Sequence, residues 1–451
     1  MTPARRPVAG PSREYRFPGV VRTALTNGVS LAVAPMTRLP LVTVLALVDA
    51  GAACDPPGAE GIAALTARAL TEGTTRRDGA TLTLDMERLG SGLDAFCDWD
   101  DVLVHLTVTP SRLDHAFALL GEVLTAPAFL PRDVDRLRNE RLADLLQQQV
   151  EPRSLADDKF SEFLYAPTSR YALPADGNTA TVSPLDADAV RRFHDARYAP
   201  SALTVIVVGD VTPEAAHALA ETSIGAWRHT VMKGPALDDR VRGSGRRVHI
   251  VPKADAPQTE LRVGHHGVVR GHPDYFPLVV MNALLGGLFS SRINLNLRER
   301  NAFTYGARSA FEWRRGAGPF VVSTAVKTDV TGPATREILT EISRMREDAV
   351  SADELSLATA YLDGVFPIRY ETTQSVAQAI AIARTFGLDE DYFTRYRDRV
   401  RSVTPEDVQR VARAHLHPEQ VMVVAVGDAS VIGPALERLE IGPVSTEEAV
   451  T

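Results

Sequence analysis

Cysteine is nearly absent from this 451-residue chain, which has only Cys54 and Cys97. Two thiols cannot supply a metal cluster or a disulfide framework, and both read as small buried apolar residues. No run of about 18 apolar residues occurs, so no membrane-spanning helix is expected. Residues 1–18 are polar, carry several arginines and lack an apolar core of signal-peptide length; a cytoplasmic protein is expected. Basic excess is also missing. The net charge of -8 argues against nucleic acid as the main partner. Histidine is present at 11 positions, yet no two lie four apart, so no H-x-x-x-H metal motif exists. His265 and His266 are neighbours in a strand and face opposite sides. His415 and His417 are expected on different sides of one helix. Each reads as an ordinary, partly buried histidine.

At this length a single core is excluded and two or three domains are expected. An internal repeat sets the number at two. Val190, Arg192, Ala196, Pro200, Gly209 and Asp210 recur 218 positions later as Val408, Arg410, Ala414, Pro418, Gly427 and Asp428. Each copy reads as helix, proline-containing turn, buried strand and Gly-Asp turn. The period is too long for a solenoid. The polar, glycine-rich stretch 233–247 (K-G-P-A-L-D-D-R-V-R-G-S-G-R-R) reads as a linker between domains at 15–232 and 248–440. Strands and helices mix without strict βαβ alternation, so the class is α+β.

In the first half, Asn27-Gly28 marks a hairpin turn. Residues 39–50 form a strongly apolar strand, and a Gly/Pro-rich loop leads to a helix over 61–72. A helix over 82–89, strands over 91–98 and 102–108, and helices over 113–124 and 132–149 follow. In the second half, residues 282–309 concentrate the informative features: N-A-L-L-G-G-L-F-S-S-R-I-N-L-N-L-R-E-R-N-A-F-T-Y-G-A-R-S. Leu284, Leu285 and Leu288 form a buried helix face. Gly286 and Gly287 inside it cost roughly 1 kcal/mol each against alanine, so a close packing partner is expected there. Arg298 and Tyr305 fall on two elements joined by a short turn, Tyr305 at a strand start. A fixed cation and a phenol so placed suit a carbonyl oxygen that gains negative charge.

The runs P-Q-T-E-L-R-V-G-H-H-G, H-P-D-Y-F-P-L and N-A-L-L-G-G-L-F-S-S-R-I…L-R-E-R-N-A-F-T-Y-G resemble the second domain of pitrilysin/insulinase-like zinc peptidases. The similarity is greatest to the two-chain branch that includes mitochondrial processing peptidase. It covers residues 258–309 closely and the remainder loosely. The resemblance implies two similar domains, each an antiparallel sheet covered by helices, and two chains closing like a clam around a chamber. It also implies that Arg298 and Tyr305 contact the substrate carbonyl beside a zinc held by a first domain.

Active relatives carry H-x-x-E-H on the helix equivalent to 61–72, where histidines at i and i+4 share a face and the glutamate activates water. Gly61, Gly73 and Thr74 fit the flanking pattern, but the motif positions hold Ala64, Ala67 and Arg68. The best match to the third ligand is Asp144. Alanine has no donor atom and arginine carries a permanent charge, so no metal or other cofactor is expected in this chain. The resemblance implies a non-catalytic subunit, not active alone, whose zinc sits in an H-x-x-E-H partner that binds peptide substrates with it. Arg298 would bind a main-chain or terminal carboxylate and Tyr305 the oxyanion. A structural core subunit and a peptide-binding chamber are the alternatives. The family's substrate-accepting edge strand corresponds to residues 93–97.

Overall fold

In the computed structural model, residues 14–231, 234 and 236–448 are described. Most of the polar leader, residues 232, 233 and 235 where the linker begins, and the last three residues therefore lie outside the described residues. The first six strands, β1 (Val21–Ala24), β2 (Ser30–Pro35), β3 (Val42–Val48), β4 (Asp94–Cys97), β5 (Val102–Val108) and β6 (Leu203–Gly209), form one sheet in the order β1-β2-β6-β3-β5-β4. The second sheet holds β7 (Arg247–Pro252), β8 (Gln258–His266), β9 (Ala307–Phe311), β10 (Pro319–Lys327), β11 (Met422–Gly427) and β12 (Val444–Thr446), ordered β12-β7-β11-β8-β10-β9.

The 218-residue repeat is a repeat of structure. The helix Ala187–Arg197 leads into β6, and the helix Pro405–His415 leads into β11. β6 and β11 hold equivalent central places in their sheets. Most strand pairs are antiparallel, but β2 pairs with β6, and β7 with β11 and β12, in parallel. These neighbours lie far apart in sequence and are joined by long helical excursions, which is what a parallel pair requires. Because β12 joins this sheet, the second unit extends past residue 440.

β3 and β6 are buried at every position. Their alternate side chains enter two different cores, so both read as nearly continuous apolar runs, broken only by Thr43 and Thr204, rather than alternating ones. Val42, Val44, Ala46 and Val48 face the first unit's own helices. Leu45, Leu47, Ile206 and Val208 face Val376, Ala377, Ile380 and Ala381, on the helix Thr373–Thr385 of the second half. The exchange is reciprocal. The helix Pro152–Leu164 of the first half sets Ala156, Phe160 and Leu164 against Met422, Val424 and Val426 of β11.

Loops reinforce the join. Arg315 pairs with Asp49 and donates its backbone N–H to Asp100 (3.0 Å). The Tyr165 hydroxyl donates to the Ala317 carbonyl (2.9 Å). The stretch Tyr275–Arg300 is long and apolar enough by composition to cross a membrane. However, its backbone breaks at Leu288 (φ -113, ψ 159), and Leu278, Met281, Leu285, Ile293 and Leu297 lie in the second core.

Candidate functional site

Arg298 and Tyr305 line one open cleft of about 690 Å³ on the second unit. Arg298 sits in a π-helical turn, Leu295–Arg300, a winding often found at functional positions. Leu297 anchors that turn in the core, and the Asn296 amide donates to Glu337 (2.9 Å) and Glu341 (2.7 Å). The Arg298 guanidinium lies 4.7 Å from the Phe289 ring and 3.3 Å from Glu299, with its side chain 40% exposed. Tyr305 is 90% exposed and precedes β9 by two residues, so it lies in the loop rather than at the strand start. Thr304 holds that loop by donating to the Ala325 carbonyl (2.6 Å), while Asn294 accepts from the Ala307 N–H (3.0 Å).

Leu284 and Leu285 are buried and Leu288 half so. Gly286 falls in a second π turn, Ala283–Gly287. A Cβ there would stand 2.6 Å from the Ser309 backbone nitrogen and 2.4 Å from its hydroxyl, so Ser309 is the close partner that the paired glycines predict.

The helix at Ala64, Ala67 and Arg68 spans Ile62–Ala69 and continues as a 3-10 turn, Leu70–Glu72. Its start is built around Asp55, whose carboxylate accepts from the N–H groups of Gly61 (2.8 Å) and Ala63 (3.0 Å) and pairs with Arg170 (2.8 Å). Burial nevertheless raises the Asp55 pKa to about 6. Gly61 adopts φ 98, and a Cβ on it would meet the Asp176 carbonyl at 2.6 Å.

Arg68 reaches Glu140 (3.2 Å) on the helix Pro131–Val150. Glu140 also binds Arg136 (2.6 Å), which pairs in turn with Glu72. Asp144, the position matched to the third ligand, is exposed one turn further on. Glu140 is the acid of that helix whose carboxylate meets the motif helix, through Arg68. Two alanines, and an arginine neutralised by Glu140, do not fit a zinc ion.

The remaining histidines are mostly committed. His265 accepts from the His417 N–H (3.1 Å) and donates to the His266 carbonyl (2.8 Å), and burial lowers its pKa to about 4. His417 lies beyond the end of the helix Pro405–His415 rather than on it. Sequence reading missed one cluster, whose members are some 140 residues apart. His272, Asp274 and His415 bring ligand-type atoms within 4.8 Å of one another. Asp274 is engaged there by Arg410 (2.9 Å) and His415 (2.8 Å), so the group joins the helices Tyr275–Asn282 and Pro405–His415 as an ion-pair network. Cys54 and Cys97 are free and half-buried.

Two family models match the chain: "Insulinase (Peptidase family M16)" over residues 35–172 and "Peptidase M16 inactive domain" over residues 184–362. An uncharacterized zinc protease of Streptomyces coelicolor is 23% identical, with 94% of this chain and 92% of that protein covered. The beta subunit of the mitochondrial-processing peptidase of Blastocladiella emersonii is 22% identical, covering 92% and 90%. Among solved structures, a peptidase M16 inactive domain from Pseudomonas fluorescens superposes with a TM-score of 0.85 at 23% identity, covering 91% of this chain and 98% of that one. A protease from Helicobacter pylori superposes with a TM-score of 0.86 at 18% identity, covering 92% and 100%.

Proposed function

The chain belongs to the insulinase-type M16 peptidase family, and we propose that within it this protein is the non-catalytic member of a two-chain zinc peptidase. Its role is to present Arg298 and Tyr305 to peptides held in the active site of an H-x-x-E-H partner. The observation that carries this reading is the make-up of the cleft. Arg298 and Tyr305 line it, while none of Ala64, Ala67, Arg68 or Glu140 does, and Arg153 is the one described residue of the first half on its wall. A site of this composition is half of a catalytic arrangement, and a second chain would close over it to complete a chamber.

In the assembled site, Arg298 would bind a substrate main-chain carbonyl or terminal carboxylate. Tyr305 would donate to the oxygen that becomes negative as the peptide carbonyl turns tetrahedral. Activation of water would belong to the partner and its zinc. Similarity to a processing-peptidase subunit supports the two-chain arrangement, and the complex is placed in the cytoplasm in this reading.

The test is co-expression with an H-x-x-E-H homologue, followed by metal analysis and cleavage of a quenched peptide library. The reading expects this chain alone to be metal-free and inert, and the pair to hold about one zinc and cut peptides. Stoichiometric zinc and cleavage by the lone chain would overturn it. Failure of any pair to form or cleave would favour a structural or peptide-binding subunit.

A further inference from the structure

The cleft that holds Arg298 and Tyr305 is lined by an excess of arginine although the chain as a whole is acidic. Four arginines, at 153, 262, 298 and 308, line it against a single carboxylate, Glu260, in a protein of net charge -8. Strand register explains how two of them come together. Ser323 of β10 pairs with Arg308 of β9 on one side and with Arg262 of β8 on the other, so both arginines lie in one row on the cleft face of the sheet.

Arg262 is fully buried and internally neutralised. It pairs with Asp157 (2.5 Å) and Glu260 (2.9 Å) and donates to the Arg153 carbonyl (3.0 Å). That network consumes the lining carboxylate. Arg153, in the first turn of the helix Pro152–Leu164, and Arg308 are exposed, and among the described residues neither has a carboxylate within ion-pair distance. Glu151, the nearest acid in sequence to Arg153, caps that helix through the Ser154 N–H (2.6 Å).

We infer that Arg153 and Arg308 make this cleft a carboxylate-selective peptide subsite, so that the peptides it handles are acidic. The inference rests on the peptide-handling role of the Arg298–Tyr305 cleft. Guanidinium groups bind carboxylates through paired N–H donors, and two of them lining one concave surface concentrate the field on whatever enters. The carboxylate can come from Asp or Glu side chains or from the peptide's own C-terminus.

The test is fluorescence anisotropy of the full chain with labelled decapeptides in three versions: Glu/Asp-rich, the Gln/Asn isostere, and Lys-rich. Each is made with a free and an amidated C-terminus. The acidic peptide is expected to bind about tenfold tighter than its amide isostere at low salt, and to lose most of that margin at 0.5 M salt. R153E/R308E should abolish the preference while circular dichroism and thermal midpoint stay at wild type, since both side chains are exposed. Weaker binding of the acidic and isosteric peptides alike on amidation assigns the subsite to the C-terminal carboxylate; an acidic-over-isostere margin that amidation leaves unchanged assigns it to side chains.

Binding indifferent both to side-chain charge and to amidation, a carboxylate preference that survives R153E/R308E, or no peptide binding would each overturn the inference. The two-chain reading is judged separately, by whether cleavage of a neutral peptide by the assembled pair depends on Arg298 and Tyr305.

Discussion

Arg68 places a guanidinium where the resemblance to zinc peptidases implies a metal ligand, and Glu140 answers it from the neighbouring helix. Reversal of the loss therefore has a defined recipe. The triple variant A64H/A67E/R68H is expected to bind about one zinc ion, by metal analysis after dialysis, with Glu140 as third protein ligand. Adding E140A should abolish that binding, and adding D144A should not. The loss of the motif was legible in the sequence, because Ala64, Ala67 and Arg68 are local positions on one helix. The identity of the facing acid was not. Residues 140 and 144 share a helix face, and only the packing between two helices fixes which turn is opposite. At the cleft, R298A or Y305F is expected to slow the assembled peptidase about 10²–10³-fold while size-exclusion chromatography of the pair is unchanged. Wild-type activity in both would remove these residues from the mechanism.

Between residues 283 and 300 the chain winds twice as a π-helix, and both turns serve the cleft. One brings Gly286 against Ser309; the other aims Arg298. Gly286→Ala is expected to destabilise the protein by about 1–3 kcal/mol in chemical denaturation, since the added methyl meets Ser309 backbone as well as its hydroxyl. A cost below a few tenths of a kcal/mol would mean that β9 yields freely. The strands themselves were readable. The strongly apolar run over residues 39–50 was readable as a strand, and it holds β3. What covers the second face could not be read, because the covering helix comes from the other half of the chain. The loop position of Tyr305 was equally hidden, since the hydrogen bond Thr304 donates to Ala325 and the one Asn294 accepts from Ala307, rather than local propensity, decide where β9 begins.

Each half of the molecule lends a helix to the other's sheet, so neither core is complete within its own repeat. Calorimetry is accordingly expected to show one unfolding transition rather than two, despite the duplication. Two resolved transitions would mean that the lent helices contribute little. The seam also carries a pH dependence. Asp101, which accepts from the Thr385 hydroxyl across it, is raised to about 6 by burial, with Asp98 and Asp100 adding to the rise and Arg315 opposing it. Its folded pKa lies above the ordinary carboxylate value. The stability it contributes is therefore full below about pH 4 and lost as pH rises through 6. Asp55 and Asp158, also raised to about 6, act in the same direction. Histidines held below their ordinary pKa by burial, His265 among them, act the opposite way over the same interval, so the expected signature is a difference: between pH 7 and 5.5 wild type gains stability relative to D101N. An unchanged difference between the two proteins would place the effect on other groups.

The lent helices also impose an order on biosynthesis. β6, the last strand of the first sheet, ends at Gly209, yet the helix that shields Leu45, Leu47, Ile206 and Val208 does not end until Thr385. At typical rates of synthesis, on the order of ten seconds or more separate the two. For that interval the nascent first sheet offers a bare apolar face, which makes it a client for chaperones and leaves it exposed to other chains emerging from the same message.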